Sequence, residues 1–78
     1  MKLPRGVSGK RLIHVLERFG YEIVRQKGSH ARLRNAGPPV HVITVPLHQA
    51  VKTGTLHGIL SEVARAQSLS IESLIEML

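Results

Sequence analysis

Residues 21–45 read YEIVRQKGSHARLRNAGPPVHVITV. Three runs rich in strand formers, residues 21–26, 30–34 and 40–45, are separated by two breaker-rich turns, Lys27-Gly28-Ser29 and the NAGPP stretch at 35–39. Consecutive strands joined by turns this short predict an antiparallel meander. In the second run Ala31 and Leu33 alternate with His30, Arg32 and Arg34. The side-chain period of a strand is two, so these sets must face opposite ways. One face is apolar and suits a core. The other presents an imidazole and two guanidiniums.

Helical patterns flank this block. Residues 8–19, SGKRLIHVLERF, place Leu12, Ile13, Leu16 and Phe19 on one stripe, with Ser8 as N-cap and Gly20 as the stop. Arg11, His14 and Arg18 fall on the polar side. Residues 54–66 repeat the pattern with Leu56, Ile59, Leu60 and Val63, and Gly58 inside this helix is expected to mark close packing against the sheet. The end of the chain, SIESLIEML, predicts a short third helix capped by Ser70. The fold class is α+β, a three-stranded antiparallel sheet covered on one face by helices, in one domain spanning residues 1–78.

The composition excludes several classes. The chain has 78 residues, no cysteine and only Tyr21 and Phe19 as aromatics, so the core is aliphatic, with neither disulfides nor thiolate metal sites. No apolar run approaches the roughly 18 residues of a membrane span, and the start, MKLPRGVSGK, lacks the apolar segment of a signal peptide. A soluble cytoplasmic protein is expected. The formal net charge is +6 and uneven: residues 1–34 carry nine basic side chains against Glu17 and Glu22, whereas the remainder carries Lys52 and Arg65 against three glutamates. A basic half joined to a near-neutral half points to a polyanionic partner; the competing explanation is a solvated basic face that keeps the protein soluble.

The residues around His30 suit RNA cleavage. Breaking an RNA backbone takes a base to remove the 2′-hydroxyl proton and positive charge to steady the phosphorane. An imidazole, which ordinarily titrates near neutral pH, serves as such a base. Lys27, Arg32 and Arg34 are the candidates to hold phosphate oxygens. The Lys52-Thr53-Gly54-Thr55 run before the second helix offers backbone N–H groups to a phosphate, although an ordinary cap by Thr53 or Thr55 is the simpler expectation. His41 and His48 carry no acidic residue beside them, and no metal or cofactor is expected.

Taken in order, SGKRLIHVLERFGYEIVRQKGSHARLR, VHVITVPLH and KTGTLHGIL resemble the HicA toxins of bacterial and archaeal toxin–antitoxin systems, a likeness running from about Leu3 to Leu78. The resemblance implies a double-stranded-RNA-binding-like α-β-β-β-α fold. It implies a ribosome-independent mRNA interferase with His30, in the Gly28-Ser29-His30 motif, as the catalytic residue and Gly28 and Ser29 setting the turn. It also implies a HicB-like antitoxin as partner, with no direct DNA binding by this chain. His48 falls in the family's Val-Pro-x-His motif, to which no role attaches. The chain departs from the family at His57, where many members carry arginine, and in the helical tail SLSIESLIEML. A metal-independent endoribonuclease, with His30 as general base or acid and Lys27, Gly28, Ser29, Arg32, Arg34 and Lys52 gripping RNA, is the leading expectation; a non-catalytic RNA-binding module is the alternative.

Overall fold

A computed structural model describes residues 2–78 of the chain. The elements run α1 (Gly9–Glu17), β1 (Tyr21–Lys27), β2 (His30–Asn35), β3 (His41–Pro46), α2 (Thr53–Gln67) and α3 (Ile71–Ile75). The strands form one antiparallel sheet in the order β1-β2-β3. This is the expected α-β-β-β-α order with a short extra helix.

The helices lie on one side of the sheet because only one side is apolar. Leu12, Ile13, Val15 and Leu16 of α1 and Leu56, Ile59, Leu60 and Val63 of α2 are buried with Ala31 and Leu33 of β2 and Ile43 and Val45 of β3. Leu74 of α3 joins this cluster. Leu12, Leu16, Leu33, Leu56, Leu60 and Leu74 have no exposed surface. Truncating any of them to alanine is expected to cost about 2–5 kcal/mol, a large part of what stabilises so small a domain. The opposite face of β2 and β3 is open: His30, Arg32, Arg34, Val42 and Thr44 are all exposed.

Local chemistry sets the ends of the elements. Ser8 caps α1 by accepting from the Arg11 N–H at 2.9 Å, and Ser70 caps α3 by accepting from the Ser73 N–H at 3.2 Å. The first helix is shorter than residues 8–19, closing at Arg18. Gly20 then takes a φ of +94° to turn the chain into β1, and Phe19 packs on the core from that turn. The cap expected from Thr53 or Thr55 does not form. Lys52 holds the N-cap position of α2, with no side-chain hydrogen bond there. The packing role expected of Gly58 is also absent. It is exposed, and a Cβ built on it would meet nothing within 4 Å.

Gly9 is a glycine that the packing between elements demands. It is buried, and a Cβ there would strike the Pro46 carbonyl oxygen, so the start of α1 lies directly against the end of β3. The Gly9 N–H donates to the His48 carbonyl at 2.9 Å and the Val51 N–H donates to the Val7 carbonyl at 2.7 Å. These bonds pin the segment between β3 and α2 to the entrance of α1.

Candidate nucleic-acid interface

The candidate interface begins at the β1–β2 hairpin. Lys27 and His30 are cross-strand partners around a loop of Gly28 and Ser29. Gly28 has a φ of +57° and Ser29 does not have a positive φ, the pattern of a tight hairpin turn opened by glycine. The turn leaves His30 exposed as the first residue of β2, with Arg32 and Arg34 following on the same open face. Thr44 of β3 lies opposite Arg32, and Pro46 lies opposite His30.

A bulge in β1 adds cations to this face. The pairing of β1 with β2 slips between Ile23 and Arg25, leaving Val24 as the extra residue. Ile23 sits opposite the buried Leu33, so an uninterrupted strand would turn Val24 and Gln26 outward. After the slip Arg25 is opposite Arg32 and Lys27 is opposite His30, which brings both cations to the open face. Gln26 is carried to the helix side, where it shares a groove with Ile13 and His14 of α1. The open face thus collects Arg25, Lys27, Arg32 and Arg34, with Glu22 opposite Arg34 as its only carboxylate among the paired strand residues.

At the hairpin end of this face lies a cleft of about 380 Å³, lined by His30, Thr44, Pro46, His48, Lys52 and Thr55 among others. Three elements supply it: the first residue of β2, the end of β3 with the segment that follows, and the first turn of α2. The Leu47 N–H donates to the Ser29 carbonyl at 2.6 Å, holding the segment that carries His48 against the hairpin. Lys52 stands at the N-terminus of α2, where the first helical N–H groups have no side-chain acceptor. The cleft therefore offers two imidazoles, an ammonium and free backbone donors at one point, a setting suited to a phosphodiester.

Of the residues expected from sequence to contact RNA, Lys52 lines this cleft with His30. Lys27, Arg32 and Arg34 lie on the adjoining sheet face, and Gly28 and Ser29 form the turn behind it. His48 carries no role from the sequence, where its Val-Pro-x-His context is the available signal. A larger groove of about 570 Å³ lies on the other side of His48, between α1 and β1, and excludes His30. His14 lines that groove, and neither His14 nor His57 lines the cleft.

His41 is at the opposite end of the sheet, paired with Asn35. Its Nδ1 lies 2.6 Å from the Tyr21 hydroxyl, to whose oxygen Gln67 Nε2 donates at 3.4 Å. Burial pushes the Tyr21 phenol above its ordinary range; Gln67 partly opposes the shift and the charge of Glu62 adds to it. Asn35 completes this end, its Nδ2 donating to the Phe19 carbonyl at 2.7 Å and its Oδ1 accepting from the Gly37 N–H at 2.9 Å. His41 and His48 are thus separated by the length of β3, and among the described residues no cluster of three or more histidines and carboxylates is placed to hold a metal ion.

Fold and face define a small α+β protein with one sheet surface buried under helices and the other open and basic. A family model described as the HicA toxin of bacterial toxin–antitoxin matches residues 9–64, from the start of α1 into α2, and the chain belongs to that family. The match stops short of α3, so the terminal helix lies outside it. Membership makes the chain the toxin component of a toxin–antitoxin pair, with an antitoxin as its partner. Comparison with curated proteins and with solved structures gives no match. No helix among the described residues is long and apolar enough to cross a membrane.

Proposed function

We propose that this toxin is a metal-independent endoribonuclease acting on mRNA in the cytoplasm, with His30 as the base that deprotonates a ribose 2′-hydroxyl. The observation that carries the reading is the position of His30: exposed at a hairpin bend, on a face with Arg32 and Arg34, in a cleft shared with Lys52. A phosphodiester seated there meets Lys52 and the first N–H groups of α2, while Lys27, Arg25, Arg32 and Arg34 grip the flanking backbone. Arg25 and Arg32 sit directly opposite one another. Like charges so placed repel across a sheet, and a bound polyanion relieves that repulsion. Base catalysis by one imidazole contributes about 10²–10⁴ in rate, which suits a slow nuclease. A HicB-like antitoxin would silence it by laying an acidic surface over the cationic face and His30.

The test is cleavage of mRNA in EDTA, together with growth arrest, by wild type and His30→Ala. Cleavage by wild type and its loss in the variant are expected; equal activity in both rejects His30 as the base. The same cationic face favours a second reading, a non-catalytic RNA-binding module. Such a module would leave RNA intact, with an affinity that falls steeply with salt.

A further inference from the structure

If His30 removes the 2′-hydroxyl proton, the departing 5′-oxygen still needs a proton of its own. We infer that His48 supplies it, making the cleft a two-imidazole acid–base site. This assignment rests on the reading of His30 as base and adds the second half of the reaction.

The candidates for the acid are few. His30, Thr44, His48, Lys52 and Thr55 are the cleft side chains that carry a transferable proton. Threonine hydroxyls are far too weakly acidic, and an ammonium ordinarily holds its proton until well above neutral pH. Imidazole is the side chain that gives up a proton most readily near pH 7. The remaining histidines are elsewhere: His14 on α1, His57 away from the cleft on α2, and His41 engaged with Tyr21 at the other end of the sheet. His48 is exposed, and its ring makes no hydrogen bond among the described residues. Its backbone is fixed on two sides, by the bond from Gly9 to its own carbonyl and by the bond from Leu47 to Ser29. The backbone that carries the ring is thus pinned beside the hairpin, and the ring itself is open to a bound phosphodiester.

The step balances. His30 takes the 2′-hydroxyl proton, the 2′-oxygen bonds to phosphorus, the bond from phosphorus to the 5′-oxygen breaks, and His48 imidazolium delivers its proton to that oxygen. The products are a 2′,3′-cyclic phosphate and a 5′-hydroxyl. Exchange of protons with solvent returns both rings to their starting states.

The experiment uses two RNA substrates of one sequence, one ordinary and one with sulfur in place of the bridging 5′-oxygen at the cleaved bond. A thiolate leaves without protonation, so the sulfur substrate has no need of an acid. On ordinary RNA, His48→Ala and His48→Gln are expected to fall about 10²–10⁴-fold; on the sulfur substrate they are expected to return to within roughly tenfold of wild type. His30→Ala is expected to be slow on both. Affinity for an uncleavable 2′-deoxy substrate, unchanged in the His48 variants, shows that the cleft is intact. Full activity of His48→Ala on ordinary RNA overturns the assignment, as does a loss that sulfur does not rescue or a rescue that appears in His30→Ala instead. A wild type that cleaves neither substrate overturns the endoribonuclease reading itself, an outcome distinct from all of these.

Discussion

The Leu47 N–H donates to the Ser29 carbonyl across 2.6 Å, and the residue following each partner is a histidine. One main-chain bond thus couples the strand that presents His30 to the segment that presents His48. Leu47→Pro removes the donor. A net loss of about 1 kcal/mol in stability is expected for the missing bond, and a further loss for the partly buried Leu47 side chain that packs against the core. Cleavage of RNA is expected to fall much further, by about 10²-fold, since a displacement of about 1 Å in a reacting group has that effect. Single-turnover cleavage beside a urea melt separates the two; a folded variant cleaving at the wild-type rate would show that this bond does not set the spacing of the rings.

Two glycines in helices are expected to respond oppositely to alanine. Gly9→Ala drives a methyl group into the Pro46 carbonyl and is expected to destabilise by roughly 1–3 kcal/mol, despite the better helix propensity of alanine. Gly58→Ala meets open space on α2 and is expected to stabilise by about 1 kcal/mol. Urea midpoints at unchanged slope measure both. A neutral Gly9→Ala would contradict the close approach of α1 to β3.

The Arg25–Arg32 pair is expected to work against the fold and for RNA binding. Arg25→Thr removes the like-charge repulsion and suits a strand, so stability is expected to rise by up to about 1 kcal/mol. Affinity for single-stranded RNA is expected to drop. The slope of log K against log salt is expected to become shallower by about 0.7, the share of a single neutralised phosphate. An unchanged slope would place Arg25 outside the interface.

Tyr21 ties stability to alkaline pH. Its phenol is shifted upward in the folded chain, chiefly by burial. The unfolded chain therefore ionises this group first as pH rises. The stabilisation is whole below the ordinary phenol range near pH 10 and is lost as pH climbs through the folded value. Tyr21→Phe is expected to be less stable at neutral pH by about 1 kcal/mol, for the hydrogen bonds to His41 and Gln67. Its decline above pH 10 is expected to be shallower than that of wild type. Parallel pH–stability curves for the two proteins would remove Tyr21 as the source.

Strict alternation in β2 makes the core face and the cationic face readable residue by residue, and the apolar stripes of α1 and α2 do the same for the helices. The β1 bulge is not readable in this way. YEIVRQK holds no glycine or proline to mark a slip, and its position follows from pairing with β2. The start of α2 departs from local preference: threonine is a good cap, whereas the main chain here puts Lys52 at that position. Gly58 signals tight packing only on the assumption that a helical glycine has a neighbour to explain it, and here it has none. The nearness of His48 to His30 depends on hydrogen bonds between segments far apart in sequence, which local patterns do not encode.

The extra residue at Val24 has a consequence for how these molecules behave when crowded. A sheet edge with even pleating is a template onto which another chain can add, strand upon strand. Along β1 the pleat changes phase partway, so an incoming strand of regular pitch can match one half of the edge but not the other. The irregularity that crowds the exposed surface with positive charge thereby also hinders fibrous self-association at that border.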